Sequence, residues 1–489
     1  MISILLDGHD LADPLKEILR LFSTGSATLG VDPSGLPAVQ AEGPSIRISS
    51  SFRTTSSGCL VEMRDLESGH FRQATIPVAG TGTDPFRIPA PVRRELKRQL
   101  YFLLSERTGV RPPWGSLTGI RPTFVAEEYL TAGLSGVDAA HELERTYGVS
   151  AAKAALAVRV AAAEAKLLAR FPESDAAVYI SIPFCTTRCS YCSFPSDTFD
   201  RVRDRLPDYL DALLREARRV GEELSCQGRR ASCLYVGGGS PAVLSAREIG
   251  SLLLGLRQRI PFRDGAETTF EAGRCDDLDA DKIAACARGG VDRLCLNPQS
   301  TDAGTLARIG RPAAGDRLGE WTALARSTGI SRLSMDLIAG LPGEEEPAFL
   351  RSLDDVLSLD PDNITVHALS IKRGSPLSSE RPDVGTGGAS AARMVDAAHV
   401  RLDSAGFEPY YLYRQKETVG GLENTGFTRP GAACLYNVAM MGDRRTVYGI
   451  GAGATTKRIV PGSARIERRV SPSDLRTYLD RIAPTCAEG

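Results

Sequence analysis

The chain of 489 residues is 42% hydrophobic and 24% charged, the make-up of a folded protein with room for about three domains and not of a disordered chain. Its 59 Lys and Arg nearly balance 60 Asp and Glu, and a formal charge of −1 excludes a general coat for DNA or RNA. Eleven cysteines spread along such a length argue against a secreted disulfide framework.

Taken in order, the N-terminal apolar residues run into Asp7, His9 and Asp10 before the core of a secretion signal can form. No run of about eighteen uncharged apolar residues follows, since Lys153, Arg159, Glu164 and Lys166 interrupt the apolar helix after Ala151. The expectation is a soluble, cytoplasmic protein with no membrane span. Residues 1–90 alternate short apolar segments (45–51 and 59–65) with Gly, Ser, Thr and Pro, the pattern of a small α+β module. Residues 91–175 turn helical, with Leu96, Leu100, Leu103 and Leu104 on one face.

Strand and helix then alternate through residues 176–375. Strands are expected at 178–184, 232–236, 268–271, 293–297, 332–338 and 364–368, and helices at 206–223, 246–259, 280–288 and 347–359. Short β-branched or Leu-rich strands between helices belong to a parallel sheet covered on its faces. Six such units predict an α/β fold, its sheet open or curled into a partial barrel, with a complete (β/α)8 barrel as the alternative. Residues 376–489 are loop-rich at 380–388, resume with a helix and the segment 410–416, and read as a C-terminal appendage.

The chemistry lies in Tyr179-Ile-Ser-Ile-Pro-Phe-Cys-Thr-Thr-Arg-Cys-Ser-Tyr-Cys-Ser-Phe194, directly after the first strand of this series. Cys185, Cys189 and Cys192 are spaced Cx3Cx2C, and three thiolates on one short loop suit three irons of a [4Fe–4S] cluster. The fourth iron is then open to a small chelating ligand, unlike that of an electron-transfer ferredoxin. A structural zinc site is the competing reading and needs a fourth ligand. The nearest histidines are His141 and His367, and Cys226 or Cys233 are the other sources. Single cysteines such as Cys233, Cys286 and Cys295 read as small buried hydrophobes.

This loop resembles that of the radical S-adenosylmethionine (SAM) superfamily. Tyr179 and the following Ile-Pro-Phe look like the oxygen-independent coproporphyrinogen III oxidase/dehydrogenase and heme-chaperone branch. Gly237-Gly-Gly-Ser-Pro241 is similar to that branch's GGGTP, and Asp336-Leu-Ile-Ala-Gly-Leu-Pro-Gly343 to its DLIxGLP. Glu271 ends the third expected strand, Gln299 the fourth, and Arg311 follows.

The resemblance implies a partial (β/α)6 radical SAM barrel with an N-terminal α+β and helical domain. In it Cys185, Cys189 and Cys192 hold the cluster, while Tyr179, Gly238, Gly239, Ser240, Glu271, Gln299, Arg311 and Asp336 contact SAM. Ligands of α/β sheets collect at C-terminal strand ends, where these residues lie. Glycines admit a ligand amine close to the backbone, Glu271 accepts from ribose hydroxyls, and Arg311 offers a planar fork to a carboxylate. Asp336 and Gln299 supply the remaining polar contacts. Taken singly, the glycine run is a turn, the strand-end Asp a helix cap and Arg311 a surface charge. Their order behind the cysteine loop favours the site.

Several features look like the HemZ-type members: Leu117-Thr-Gly-Ile-Arg-Pro-Thr123, Glu271-Ala-Gly-Arg274, Asn297-Pro-Gln299, the segment 410–416 and Glu423-Asn-Thr-Gly426. Ser193 and Phe194 follow Cys192 where the well-known dehydrogenases carry a further Cys. At the place of the chaperones' His-Asn-x-x-Tyr-Trp motif stands Tyr436-Asn-Val-Ala-Met-Met441, without the His. Met440 and Met441 are either core fillers or ligands of heme iron. Tyr411, Tyr413, Arg414 and Lys416 would suit a flat tetrapyrrole with propionates, or form a strand with one tyrosine face and one solvated basic face. Lys372 and Arg373 present the same choice.

The function so implied is reductive cleavage of SAM at the cluster, followed by hydrogen removal from the propionate β-carbon of coproporphyrinogen III. Two propionates would become the vinyl groups of protoporphyrinogen IX. A tetrapyrrole substrate and a flavodoxin- or ferredoxin-like electron donor are implied, and no nucleic-acid partner. The alternatives are a heme-binding trafficking protein and a radical enzyme acting on another tetrapyrrole such as heme.

Overall fold

The computed structural model describes the chain except residues 8, 10, 24–26, 32–36, 56–57, 78–88, 195–196, 314–316, 373, 381–383, 416–417, 461–464 and 484–489, with the backbone alone at 380 and 384–387. Two compact units are formed, residues 1–159 with 420–422, and residues 160–419 with 423–489.

In the first unit β1 (Ile2–Asp7), β2 (Thr28–Val31), β3 (Pro37–Ala41), β4 (Ile46–Thr55), β5 (Gly58–Asp65) and β6 (Phe71–Ile76) form one mixed sheet in the order β2-β3-β1-β4-β5-β6. β1 and β4 run parallel, and the remaining pairs are antiparallel. Helix Ala90–Thr108 carries the expected leucine stripe: Leu96, Leu100, Leu103 and Leu104 are buried in one core with Ile2, Ile4 and Val61. Gly109 ends that helix in the left-handed conformation and donates its N–H to Ser105 O.

The second unit is built on β7 (Ala176–Ile182), followed by the two-residue strands β8 (Phe184–Cys185) and β9 (Asp197–Thr198), then β10 (Ala231–Gly238), β11 (Phe262–Gly273), β12 (Arg293–Leu296), β13 (Arg332–Ala339) and β14 (Asn363–Ala368). β7 and β10 to β14 pair in parallel, in chain order, as the six expected βα units of a partial barrel. Helices Leu206–Cys226, Ala246–Arg259, Ala280–Arg288 and Glu346–Ser358 intervene. A capping box between Ser245 and Glu248 starts the second of these, and Asp279 caps the third. β11 begins well before the expected position, because its first half, Phe262-Arg-Asp-Gly-Ala-Glu267, is exposed at its centre and carries no apolar alternation.

The residues after 376 extend this same sheet at both edges. β15 (Glu408–Tyr413) and β16 (Asn424–Thr428) add antiparallel beyond β14. β17 (Thr446–Ile450) adds a further parallel strand beside β7, with β18 (Thr455–Ile459) and β19 (Ile466–Val470) outside it. The eleven-stranded sheet runs β15-β16-β14-β13-β12-β11-β10-β7-β17-β18-β19 and stays open, in place of a closed (β/α)8 barrel. Among the described residues no helix is long and apolar enough to cross a membrane.

Candidate active site

The cysteine loop leaves the C-terminal end of β7. β8 pairs with β9 and folds the loop back on itself, with Asp197 N donating to Pro183 O at 3.1 Å. Neighbouring segments hold the loop from outside: Ser190 N donates to Ile309 O at 3.0 Å, and Leu377 N to Ser190 O at 2.9 Å. Cys189 is buried, while Cys185 and Cys192 are half-buried. Burial pushes the Cys192 thiol up, opposed by the backbone N–H of Phe194, so a metal at this loop must displace a proton. Among the described residues no three His, Cys, Asp or Glu side chains converge on one ion. Separate corners of a multi-iron cluster do not require such convergence, whereas a tetrahedral zinc does.

The glycine run ending β10 packs directly beneath this loop. Gly239 N donates to Ile182 O at 2.9 Å and Ser240 N to Phe184 O at 2.8 Å. Gly238 has φ 126°, and a β-carbon there would lie 2.8 Å from Ile182 O. The Ser240 hydroxyl lies 2.8 Å from Asp277 Oδ2 and 3.2 Å from Ala272 O, and Asp277 also receives Thr186 Oγ1 from the cysteine loop. Arg274, following β11, donates through Nη1 to Cys189 Sγ at 3.8 Å.

Inside the sheet lies a cavity of about 340 Å³. Tyr179, Gly238, Glu271 and Asp336 of the expected cofactor residues line it; Gly239, Ser240, Gln299 and Arg311 do not. Burial, and then the charge of Asp336, push the Glu271 carboxyl up to about 8. Its Oε1 accepts from Asn297 Nδ2 at 3.2 Å. Asn297 Oδ1 and Gln299 Oε1 are buried acceptors with no protein donor. Gln299 sits at φ 69°, unusual for a side-chain-bearing residue, and is pinned there by Gln299 N to Asp336 O at 2.9 Å and Ile338 N to Gln299 O at 3.0 Å. Glu271 and Asp336 line the cavity, and the orphaned Asn297 Oδ1 and Gln299 Oε1 lie at the neighbouring strand ends; a surplus of acceptors of this kind fits a cationic, hydroxyl-bearing molecule such as SAM. The Arg311 guanidinium is turned to the strand ends, donating to Asn297 O at 2.6 Å, Pro298 O at 3.2 Å and Gly273 O at 3.3 Å.

A group of aromatic side chains forms part of the remaining cavity wall. Tyr436 stacks on Tyr235 (centroids 4.4 Å, 28°) and on Tyr179 (5.7 Å, 17°). Tyr411 and Tyr413 stand parallel at 6.3 Å and 7° on the same wall as His367, which lies 3.6 Å from Asp336 and 3.4 Å from the Tyr413 hydroxyl. Met440 and Met441 line the cavity too, and pack partly buried against its core. Arg414, weighed above as a propionate contact or as part of a solvated basic face, is half-buried, and burial pushes its guanidinium below the usual range with the Glu423 charge opposing. Lys416 and Arg373 lie outside the described residues.

Tyr235 and Asp277 were not singled out in the sequence, and Tyr436, His367 and Arg274 were named there without a place in this site. Tyr235 had a signal: it is the inward residue of β10 two before Gly237, and its register partner is Tyr179.

The radical SAM superfamily pattern matches residues 179–356. The chain is 35% identical over 387 residues to the oxygen-independent coproporphyrinogen-III oxidase-like protein HemZ of Bacillus subtilis (strain 168), spanning 78% of this chain and 77% of that one. It is 29% identical over 306 residues to the heme chaperone HemW of Escherichia coli (strain K12), spanning 62% and 75%. The solved structure of coproporphyrinogen III oxidase (HemN) from Escherichia coli, a radical SAM enzyme, matches with TM-score 0.50 and 21% identity over 66% of this chain and 72% of that one, a likeness of fold. The cysteine loop, the glycine run beneath it and these matches agree: the chain belongs to the radical SAM superfamily, in the HemZ-type branch of the coproporphyrinogen III oxidase-like proteins, whose cofactors are a [4Fe–4S] cluster and SAM.

Proposed function

We propose that the chain is a cytoplasmic radical SAM oxidoreductase that decarboxylates the propionates of coproporphyrinogen III. The observation that carries this reading is the tyrosine-walled cavity lined by Pro183 and Phe194, the residues on either side of the cysteine loop. Cys185, Cys189 and Cys192 would hold the cluster, and together with SAM it would supply a one-electron cleavage of the S–C5′ bond and a 5′-deoxyadenosyl radical.

The chain's own residues bind and orient. Glu271 and Asp336 would face the positive charges of SAM, and Asn297 Oδ1 and Gln299 Oε1 would accept from its hydroxyl or ammonium groups. Arg311 would fix the strand ends that carry those acceptors, and would have to leave three carbonyls to clamp a carboxylate itself. The rings of Tyr411 and Tyr413 offer flat faces to a tetrapyrrole and keep water from the reacting carbon. Each propionate would give up one hydrogen atom to the 5′-deoxyadenosyl radical, then one CO2 and one electron, the electron passing to an external one-electron acceptor, and leave a vinyl group. A flavodoxin- or ferredoxin-type donor would reduce the cluster.

A second reading is favoured by one observation. Met440 and Met441 share the cavity wall with Tyr436, so a heme could be held there through a thioether without turnover. The test is anaerobic reconstitution with iron and sulfide, then dithionite, SAM and coproporphyrinogen III, with products read by mass spectrometry. Protoporphyrinogen with matching 5′-deoxyadenosine, both lost in Cys189→Ala, supports the proposal. Deoxyadenosine with unchanged porphyrin removes this substrate and directs the search to heme. Stoichiometric heme binding with neither product overturns the enzyme reading.

A further inference from the structure

Arg274 is 5% exposed, a buried cation within reach of a sulfur. Its guanidinium has two usable edges, and they are committed to different partners. Nε and Nη2 form a fork onto Asp276, at 3.2 and 2.8 Å, and Nε lies 3.9 Å from Asp277. The remaining nitrogen, Nη1, points the other way and donates to Cys189 Sγ at 3.8 Å. Asp277 is itself anchored, since it receives the Ser240 and Thr186 hydroxyls. The arrangement is a fixed dipole whose positive end meets a thiol and whose negative end is turned away.

A cluster's reduction potential is set by its net charge, its solvent exposure and the hydrogen bonds to its sulfurs. An added electron raises the negative charge on the thiolate ligands, and a donor oriented at one of them in a poorly solvated site stabilises the reduced form. Resting on the reading that Cys189 binds iron, we infer that Arg274 is a positioning and tuning residue that raises the reduction potential of the cluster through its Nη1 contact with the Cys189 sulfur. Asp276 aims that contact. The consequence is a cluster that a weaker one-electron donor can reduce before SAM is cleaved.

The experiment is a dithionite titration of the full reconstituted chain, without SAM or substrate, followed by electron paramagnetic resonance. Arg274→Gln, which keeps a donor and loses the charge, is expected to disfavour the reduced cluster about tenfold, a downward shift of about 59 mV for one electron. Arg274→Lys keeps the charge without the planar fork and is expected to shift down by less. An Arg274→Gln potential equal to that of the unaltered chain overturns the inference. Should Arg274→Gln hold no iron, an Arg274→Lys potential equal to the unaltered one overturns it as well. An unaltered chain that takes up no iron defeats the cluster reading itself, which is a separate outcome visible before any titration.

Discussion

A β-carbon on Gly239 would lie 2.8 Å from the Cys185 sulfur and 2.5 Å from Phe184 O. The glycine is therefore the floor on which the first cysteine rests. Phe184 O is also the acceptor of Ser240 N, so that carbonyl cannot retreat without breaking the lattice that ties the glycine run to the loop.

Gly239→Ala is accordingly expected to lose iron on reconstitution and to destabilise the chain by about 1–3 kcal/mol, the cost of overpacking a site that cannot relax. Gly250, in helix Ala246–Arg259, has nothing within 4 Å of its β-carbon position. Gly250→Ala should keep full iron content and gain up to about 1 kcal/mol in helix propensity. Iron assay and thermal melts of the two variants check both; equal iron in Gly239→Ala and the unaltered chain contradicts the first.

Glu271 gives a pH dependence of defined sign. Its folded value of about 8 stands above the ordinary 4.5, from burial and the neighbouring Asp336 charge. Between those values the native state binds the proton that the unfolded chain has released, so stability falls as pH rises from about 4.5 to 8 and levels beyond. The slope is below about 1.4 kcal/mol per pH unit, because the carboxyl faces a cavity that admits water. Glu344, raised to about 7 chiefly by burial, slopes the same way, so the difference between the unaltered chain and Glu271→Gln isolates Glu271. Urea unfolding of the cofactor-free chain across this range should show a flatter profile for Glu271→Gln; parallel profiles contradict the assignment.

Much of this site was legible because its residues are punctuation: glycines, a proline and acids at the ends of short apolar runs, in a fixed order behind three cysteines. The six parallel strands were legible for the same reason. What could not be read depends on distant pairing. β17, a buried five-residue run, becomes a strand only by lying beside β7, with Gly449 opposite Tyr179. The Tyr179–Tyr235–Tyr436 stack needs the register of β7 and β10 and the return of the chain near its end. Arg274 looked like part of a motif; its partner Cys189 lies 85 residues earlier. The three carbonyls that Arg311 meets, on Gly273, Asn297 and Pro298, come from two strand ends that only the fold brings beside it.

The Tyr411 ring lies over Gly426, its partner on the neighbouring strand: a β-carbon at 426 would come within 1.8 Å of the ring. Gly426→Ala should swing the ring from the cavity wall, break the 3.0 Å contact of its hydroxyl with Thr365 Oγ1 and cost about 1–3 kcal/mol. In a Tyr411→Ala background the added methyl has room, so the two changes should be non-additive by about 1 kcal/mol or more. Additive losses in a double-mutant cycle would mean that the ring does not depend on the glycine.

The base of the cavity is held by charge. Glu267 Oε2 lies 3.3 Å from Arg293 Nη1 and 3.0 Å from Arg332 Nη1, and Oε1 accepts from Leu435 N at 3.2 Å. Arg293 is 1% exposed and Arg332 33% exposed. Removing a partner from a buried pair leaves an uncompensated charge, so Glu267→Gln is expected to cost about 3–5 kcal/mol, whereas Arg332→Gln, at the wetter end, should cost about 1 kcal/mol or less. Replacing Glu267 and Arg293 together by Leu and Met should recover much of the loss, because the charge that remains, on Arg332, is at the wetter end. Urea midpoints for the three variants decide between this account and its rival. Arg293 also donates to Asn363 Oδ1 at 3.0 Å and Ala432 O at 2.6 Å. If those two neutral acceptors suffice to hold the guanidinium, Glu267→Gln will cost no more than Arg332→Gln.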